Sequence, residues 1–343
     1  MKKLLNTLYI TTLDTYLSLD GENVVVRKDD AALIRVPLHN LEGIVTFGYT
    51  GASPRLMGAC VERGIALSFL TESGRYLASV VGPKQGNVLL RRTQYRYADD
   101  KALSATISRN MLAGKLYNSR WVLERAVRDH EMRVDVSRLK DVSSFLAESI
   151  RRVYDAGNLD SMRGIEGEVA ARYFSVFDEL ILQNKEDFFF QKRSRRPPLD
   201  KVNALLSLAY TLLASEAASA ISAVGLDPFV GFLHQDRPGR RSLSLDLIEE
   251  LRSVFADRFV LSMINKRQVE ASDFLQKESG AVLLKDDSRK KFLAAWQTRK
   301  QVKIEHPFLK EKIEWGLVPH VQALLLARHL RGDLNEYPPF LWK

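Results

Sequence analysis

Gly82-Pro83-Lys84-Gln85-Gly86 is the break on which the fold turns. Two glycines and a proline in five positions interrupt strand and helix alike. Before this break the apolar residues are laid out for strands. Thr7 to Thr12 is a β-branched and aromatic run. Tyr16-Leu17-Ser18-Leu19 and Val24-Val25-Val26 flank Asp20-Gly21-Glu22-Asn23, which reads as a hairpin turn. Leu33 to Val36 and Gly43 to Phe47 predict two further strands. Ser53-Pro54 opens a short helix through Glu62, with proline suited to the first turn and Gly64 ending it. Ile65 to Leu70 and Tyr76 to Val81 read as a strand pair around Glu72-Ser73-Gly74.

After the break the period becomes helical. Val202, Leu205, Leu206, Ala209, Leu212, Leu213 and Ala217 recur at three- and four-residue steps and make one apolar helix face. Leu245, Ile248, Leu251 and Phe255 do the same. Between residues 265 and 300 the pattern is ambiguous, and Ala281-Val282-Leu283-Leu284 could be a strand inserted among helices. No repeat or low-complexity tract is present. The expected fold class is α+β. A small β-rich N-terminal domain spans 1–85, a linker spans 86–100, and a larger all-α domain spans 101–343.

The chain has 343 residues, 45% of them hydrophobic, enough for two domains with their own cores. Charged residues are 27% of the chain and mean hydropathy is −0.17, which excludes a disordered chain. Lys and Arg number 51 against 42 Asp and Glu, a net charge of +9 that favours a polyanionic partner. Cys60 is the single cysteine, so neither an internal disulfide nor a cysteine-based zinc site can form. Its setting in Leu56-Met57-Gly58-Ala59-Cys60-Val61 predicts a small buried hydrophobe. The basic, then apolar Met1 to Leu8 lacks the long apolar core and the cleavage site of a signal peptide. No stretch is expected to reach the length of a membrane span. The expectation is a cytoplasmic protein with no membrane partner.

Three stretches carry residues fit for chemistry. In the first, Gly231-Phe232-Leu233-His234 leads into a basic loop, Gln235 to Arg241, and then into a helix starting near Ser242 or Ser244, with serine a good N-cap. Asp246 and Glu249, three apart, share one face of that helix. Leu245 and Ile248 point to the core, which places the acidic pair near the protein boundary. A histidine nitrogen with carboxylate oxygens suits Mn²⁺ or Mg²⁺ better than zinc. A histidine ahead of an ordinary amphipathic helix is the plainer reading of the same residues. In the second stretch, Arg163 to Phe174, Ile165, Val169, Tyr173 and Val176 form an apolar stripe and Glu166 and Glu168 lie off it. Gly164 and Gly167 leave Glu166 little steric cover, so a phosphate could approach; solvated glutamates are the plainer reading. In the third, Gln191-Lys192-Arg193-Ser194-Arg195-Arg196-Pro197-Pro198, four cations precede a diproline. They are suited to forked phosphate contacts or to a solvated linker.

Taken together and in order, these stretches resemble the CRISPR-associated integrase family, the first of the two universal adaptation proteins (Cas-one). The residues that carry the resemblance are Arg163 to Phe174, Arg195 to Ser207, Gly225 to His234 and Ser242 to Arg252. Leu90-Arg91-Arg92-Thr93-Gln94-Tyr95 resembles the family's domain-linking segment. The ending Tyr337-Pro338-Pro339-Phe340-Leu341-Trp342-Lys343 looks like the type I-C branch. The resemblance implies a β-rich N-terminal dimerisation domain and an α-helical catalytic domain in a homodimer. It also implies a small second adaptation protein (Cas-two) in a heterohexameric complex. The joint activity would insert short foreign DNA duplexes (prespacers) into a CRISPR repeat, with associated endonuclease activity. By position, Glu166, His234 and Glu249 match the metal ligands, and Asp246 matches a nearby acidic residue needed for activity. Which of Asp246 and Glu249 touches the Mg²⁺ or Mn²⁺ stays open. Arg193, Arg195, Arg196, Arg237, Arg240 and Arg241 are candidate phosphate contacts. Two other readings stay open: a stand-alone metal-dependent DNA nuclease in repair or degradation, which shares the chemistry and which the sequence does not separate from integration, and a non-catalytic nucleic-acid scaffold. His39, His130, His306, His320 and His329 have no partner at ligand spacing. Trp121, Trp296 and Trp315 are expected in the core.

Overall fold

The computed structural model describes residues 7–29, 31–71, 76–82 and 88–343. The turn at Glu72-Ser73-Gly74, most of the Gly82–Gly86 break and the start of the chain lie outside the described residues. The chain forms two compact units.

The first unit is built on eight strands: β1 (Thr7–Ile10), β2 (Tyr16–Asp20), β3 (Asn23–Lys28), β4 (Ala31–Pro37), β5 (Gly43–Phe47), β6 (Gly51–Ala52), β7 (Ala66–Leu70) and β8 (Tyr76–Ser79). Helix α1 (Pro54–Glu62) falls between β6 and β7. The strands form two sheets, ordered β1-β5-β7-β8 and β4-β3-β2-β6. β2 and β3 pair antiparallel with Asp20 opposite Asn23, and Gly21 turns the corner at φ +56. β1, β5 and β7 are parallel neighbours. Parallel pairing needs a long crossover, and the segment carrying α1 supplies it between β5 and β7. Ser53 caps α1 by accepting from Leu56 N at 3.2 Å, and Gly64 leaves the helix end at φ +66. The core gathers Leu17, Val24, Leu38, Ile44, Leu56, Cys60 and Leu67, all fully buried. Burial pushes the Cys60 thiol up to about 11, against the lowering pull of Arg63, so it stays a neutral hydrophobe.

The second unit is mainly helical: α2 (Val88–Asp99), α3 (Lys101–His130), α4 (Val136–Asp155), α5 (Leu159–Ser175), α6 (Lys201–Ala223), α7 (Ser242–Ile248) and α8 (Arg258–Asn265). Asp100, Asp135, Asn158 and Asp200 start α3, α4, α5 and α6, each accepting backbone N–H groups that have no partner inside the helix. A π-helical turn, Arg252–Asp257, joins the region of α7 to α8. The expected strand at Ala281–Leu284 is present as β10 (Val282–Leu284), paired with β9 (Phe274–Gln276).

The stretch 86–100 is helical over most of its length and belongs to this second unit. Gln94 is fully buried there. Its amide donates to the carbonyls of Asp227 and Val230 and accepts from Asp227 N, each at 2.8 Å. In the other direction, Leu284–Lys303 and Glu314–Leu317 belong to the first unit, so it also holds α9 (Asp286–Gln301). Phe292 and Trp296 of α9 are fully buried, and the Arg289 guanidinium sits 5.4 Å from the centre of the Phe47 ring. A last hairpin, β11 (Lys303–Glu305) with β12 (Lys312–Glu314), precedes α10 (Val318–Leu330).

The expectation that no stretch reaches membrane-span length is corrected by α6. Its 23 residues have a mean hydropathy of 1.5 over the most apolar window. Val202, Leu205, Leu206, Ala209, Ala217 and Ile221 are fully buried, and a helix buried on several faces is apolar all round for that reason. Trp296 and Trp315 are buried as expected, whereas Trp121 is half-exposed with Arg120 and Lys343 against its ring.

Two buried carboxyls make stability depend on pH. Burial lifts Asp257 to about 6, although the hydroxyls of Tyr210 and Tyr173 donate to it. Burial lifts Glu250 to about 8 against donation from Tyr337, Phe340 N and Gln322. Both folded values lie above the unfolded ones near ~4, so the folded state binds more protons and loses stability as pH rises between those limits. Urea unfolding followed from pH 5 to pH 8 should show falling stability. Asp257→Asn should flatten the part of the curve below pH 6, and an unchanged slope would refute the assignment.

Candidate active site

The site is assembled from α3, α5, the loop after Gly231 and the end of α7, all within the second unit. Asp246 is its fixed point. The residue is fully buried. Its Oδ2 accepts from Phe232 N at 2.7 Å and Leu233 N at 3.0 Å, and Oδ1 accepts from His234 N at 3.0 Å. The His234 ring closes the set, with Nδ1 at 2.5 Å from Oδ1. A carboxylate accepts, so Nδ1 carries a proton, and in the neutral imidazole Nε2 is the nitrogen with the free lone pair. Asp246 therefore folds the histidine loop and sets the imidazole's tautomer. That packing requires glycine at 231, where a Cβ would stand 2.8 Å from Asp246 Oδ2 and 2.8 Å from Ser242 Cβ. Gly231→Ala should displace the loop. The downfield Nδ1 proton of His234 in NMR spectra should shift or vanish, and its unchanged presence would count against this reading.

Glu249 sits at the C-terminal cap of α7 and is 3% exposed. Arg252, three residues on, pairs with Oε1 at 3.0 Å. Lys115, from the middle of α3, stands 2.7 Å from Oε2, out of hydrogen-bonding alignment, so this buried oxygen has no hydrogen-bond partner. Burial alone would raise the carboxyl's pKa, but the charges of Arg252, Lys115 and His234 outweigh it and hold the group below the usual carboxylate range. The Lys115 ammonium also pairs with Glu166 Oε1. Glu166 lies on α5, half-buried, with Gly164 and Gly167 beside it. A Cβ on either glycine would meet nothing within 4 Å, so the flank of Glu166 is open. Arg163, one turn earlier, donates to Leu233 O at 2.8 Å and ties α5 to the histidine loop.

Glu166 and Glu249 thus meet across one lysine, and His234 and Asp246 meet directly. Among the described residues no three His, Cys, Asp or Glu side chains form a ready cation cage. The donor set nevertheless fits a hard cation: Glu249 Oε2 is a buried anionic oxygen lacking a hydrogen bond, and Glu166 already shares a cation with it.

Two local expectations are corrected. The acidic pair is buried rather than at the boundary, because the donors just described satisfy it in place of water. The helix is not capped by serine: Arg241 occupies the N-cap position without a side-chain bond, and the Ser242 hydroxyl donates to Gln235 O at 3.1 Å. Of the candidate phosphate contacts, Arg195, Arg196 and Arg237 are exposed and Arg240 and Arg241 half-exposed. Arg193 turns inward, donating to Ser194 O and Asn203 Oδ1 at 2.6 Å and lying over the Tyr210 ring. His306 is buried against Gln322, away from these groups. Lys115, Arg163 and Arg252 were not anticipated as members of the site. Lys115 had a signal, a lone cation within Met111-Leu112-Ala113-Gly114-Lys115-Leu116, and Arg252 lies one turn from Glu249.

Comparison with known proteins defines the class first. The fold matches a solved casposase bound to integration product, with a TM-score of 0.84 at 23% identity over 98% of this chain and 93% of that one. It also matches a CAS1 protein from Thermotoga maritima, with a TM-score of 0.81 at 22% identity over 96% and 97%. Both relations are of fold. The family model described as CRISPR associated protein Cas1 matches residues 8–298. A CRISPR-associated endonuclease Cas1 of Chlorobaculum tepidum is 52% identical over the full length of both chains, and one from Rhodospirillum rubrum is also 52% identical over the full length of both. The chain belongs to the Cas1 family of CRISPR-associated endonucleases, a metal-dependent nuclease family.

Proposed function

We propose that this chain is a CRISPR adaptation integrase, in which Glu166, His234 and Glu249 hold a divalent cation at the DNA-joining site and Asp246 orients His234. The observation that carries the reading is the buried Glu249 Oε2, an anionic oxygen held 2.7 Å from the same Lys115 ammonium that pairs with Glu166. Oxygen donors with a single imidazole favour Mg²⁺ or Mn²⁺. Occupation of both Asp246 oxygens by the loop supports Glu249 as the ligand of the two.

When bound, the ion would stabilise charge on the attacking and leaving oxygens of a phosphodiester. The protein's groups do the rest. Asp246 holds His234 by Nδ1, which makes Nε2 the ring nitrogen available to a ligand. Arg252 fixes the Glu249 carboxylate. The glycines beside Glu166 leave room for a phosphate. A 3′-hydroxyl of the incoming DNA attacks and a 3′-hydroxyl of the repeat leaves, so the chain needs no serine, cysteine or tyrosine nucleophile. Water in place of the attacking hydroxyl gives endonuclease cleavage from the same site.

The solved neighbours include a Cas6-RT-Cas1–Cas2 complex, which supports a Cas2-type partner for this chain. A homodimer formed through the β-rich unit, two such dimers in a heterohexamer, a prespacer duplex and CRISPR repeat as DNA partners, and a cytoplasmic setting complete the proposal. Arg195, Arg196 and Arg237 are its first candidates for phosphate contacts.

The test is joining of a short duplex into a supercoiled plasmid carrying a repeat, with the Cas2-type partner and Mg²⁺ or Mn²⁺. Glu166→Ala, His234→Ala and Glu249→Ala should each abolish joining, as should chelation of the metal. Asp246→Asn should cost about 10–100-fold in metal affinity through the misplaced imidazole. Undiminished joining by Glu166→Ala or His234→Ala would overturn the site. Arg195→Ala with Arg196→Ala should weaken DNA binding and reduce the slope of log affinity against log salt by about 2, one per lost phosphate contact.

A further inference from the structure

The least expected member of the site is Lys115. It is 12% exposed and stands between two carboxylates from different elements, Glu166 on α5 and Glu249 at the end of α7. With Arg252 on the other Glu249 oxygen, two cations face Glu166 and Glu249, so these four charges already balance. A divalent ion added to them would bring in an excess of positive charge, only part of it answered by Asp246, beside a Glu249 carboxylate shut off from water, where charge interactions are weakly screened. One of the resident cations must leave, or an anion must come in. Arg252 is poorly suited to leave: it is pinned to Glu249 at 3.0 Å and its guanidinium lies 5.0 Å from the centre of the Tyr210 ring. Lys115 is a compact ammonium on a flexible four-carbon stem, and it is out of hydrogen-bonding alignment with Glu249 Oε2.

We propose that Lys115 is an internal counter-ion: its ammonium holds Glu166 and Glu249 together in the metal-free protein, withdraws when a divalent cation enters, and then pairs with the phosphodiester arriving beside Glu166. This rests on the reading of Glu166, His234 and Glu249 as the ion site. It makes metal binding and DNA binding mutually dependent. Without DNA the cation must displace Lys115 and leave an ammonium unpaired. With DNA the phosphate takes up that charge. Because coupling is reciprocal, DNA should tighten metal binding by the same factor as metal tightens DNA binding.

Mn²⁺ binding to the full chain, measured by titration calorimetry, distinguishes the outcomes. The comparison uses the wild-type chain, Lys115→Met and Lys115→Arg, each with and without a DNA duplex whose ends carry no 3′-hydroxyl. Without DNA, Lys115→Met should bind Mn²⁺ about tenfold or more tightly than wild type, within the usual range of coupling between neighbouring sites. Lys115→Arg should bind no more tightly than wild type. DNA should strengthen Mn²⁺ binding in the wild type more than in Lys115→Met. Without metal, Lys115→Met should melt below the wild type, since two close carboxylates lose their counter-ion, and Mn²⁺ should raise its melting temperature by more. If Lys115→Met does not fold, Lys115→Gln, also uncharged, supplies the same comparison. Equal or weaker Mn²⁺ affinity in the uncharged variant overturns the counter-ion role while leaving the ion site standing. Absence of Mn²⁺ binding in every form, with and without DNA, overturns the ion site and this inference with it.

Discussion

The site depends on a carboxylate that touches no solvent. Asp246 gathers three consecutive backbone N–H groups and one imidazole onto two oxygens. An unpaired charge at such a depth would be expensive, so each donor matters to the others. The result is a loop whose shape is dictated from the helix that follows it. Gly231 has no side chain because the carboxylate uses that space, and Arg163 holds the loop from α5 through Leu233 O. Further from the loop, Gln94 of α2 bonds the backbone of Asp227 and Val230 just upstream. The histidine is therefore placed by contacts from three separate helices, and the one from α7 also fixes which ring nitrogen carries the proton.

A similar economy governs the second half of the site. Glu249 and Glu250 are adjacent and both buried, yet they are handled in opposite ways. Glu249 faces Arg252 and Lys115 and is held as an anion. Glu250 faces the Tyr337 hydroxyl, the Gln322 amide and the Phe340 N–H, which are dipoles without net charge, and burial raises it. The π-helical turn that follows rotates the chain between them and Asp257, as such turns do near functional residues. Neighbouring carboxyls thus become one buried anion paired with cations and one anchor held by neutral dipoles.

Much of this was legible in the chain. Alternation and turn residues located β2, β3, β5, β7 and α1 nearly to the residue, because each has a local cause: the Asp20–Asn23 turn, Ser53-Pro54, Gly64. The ordered motifs singled out Glu166, His234, Asp246 and Glu249, of which the fold pairs His234 with Asp246 and joins Glu166 to Glu249 through Lys115. What the sequence could not display is pairing at a distance. Period alone makes β1, β5 and β7 strands but does not say that they run parallel. Residues 286–301 fall in the ambiguous stretch assigned to the larger domain, yet α9 belongs with the first unit, where Arg289 stacks on Phe47. Lys115 and Glu166 are 51 positions apart, beyond any helical or strand repeat. Arg193 stands among exposed arginines in sequence, and its contacts with Asn203, Ser207 and Tyr210 turn it inward.

The anchoring of Glu250 has a consequence for the order in which its surroundings come together. Its partner Phe340 lies 90 positions later in the chain. Asn118 of α3 joins the same knot, donating to Glu250 O and Phe340 O at 2.7 Å and accepting from Trp342 N at 2.9 Å. During synthesis the residues beside Glu249 are made long before those that fasten them. The fastening of Glu250 and of α3 beside it therefore waits on residues 337–342, whatever is made before them.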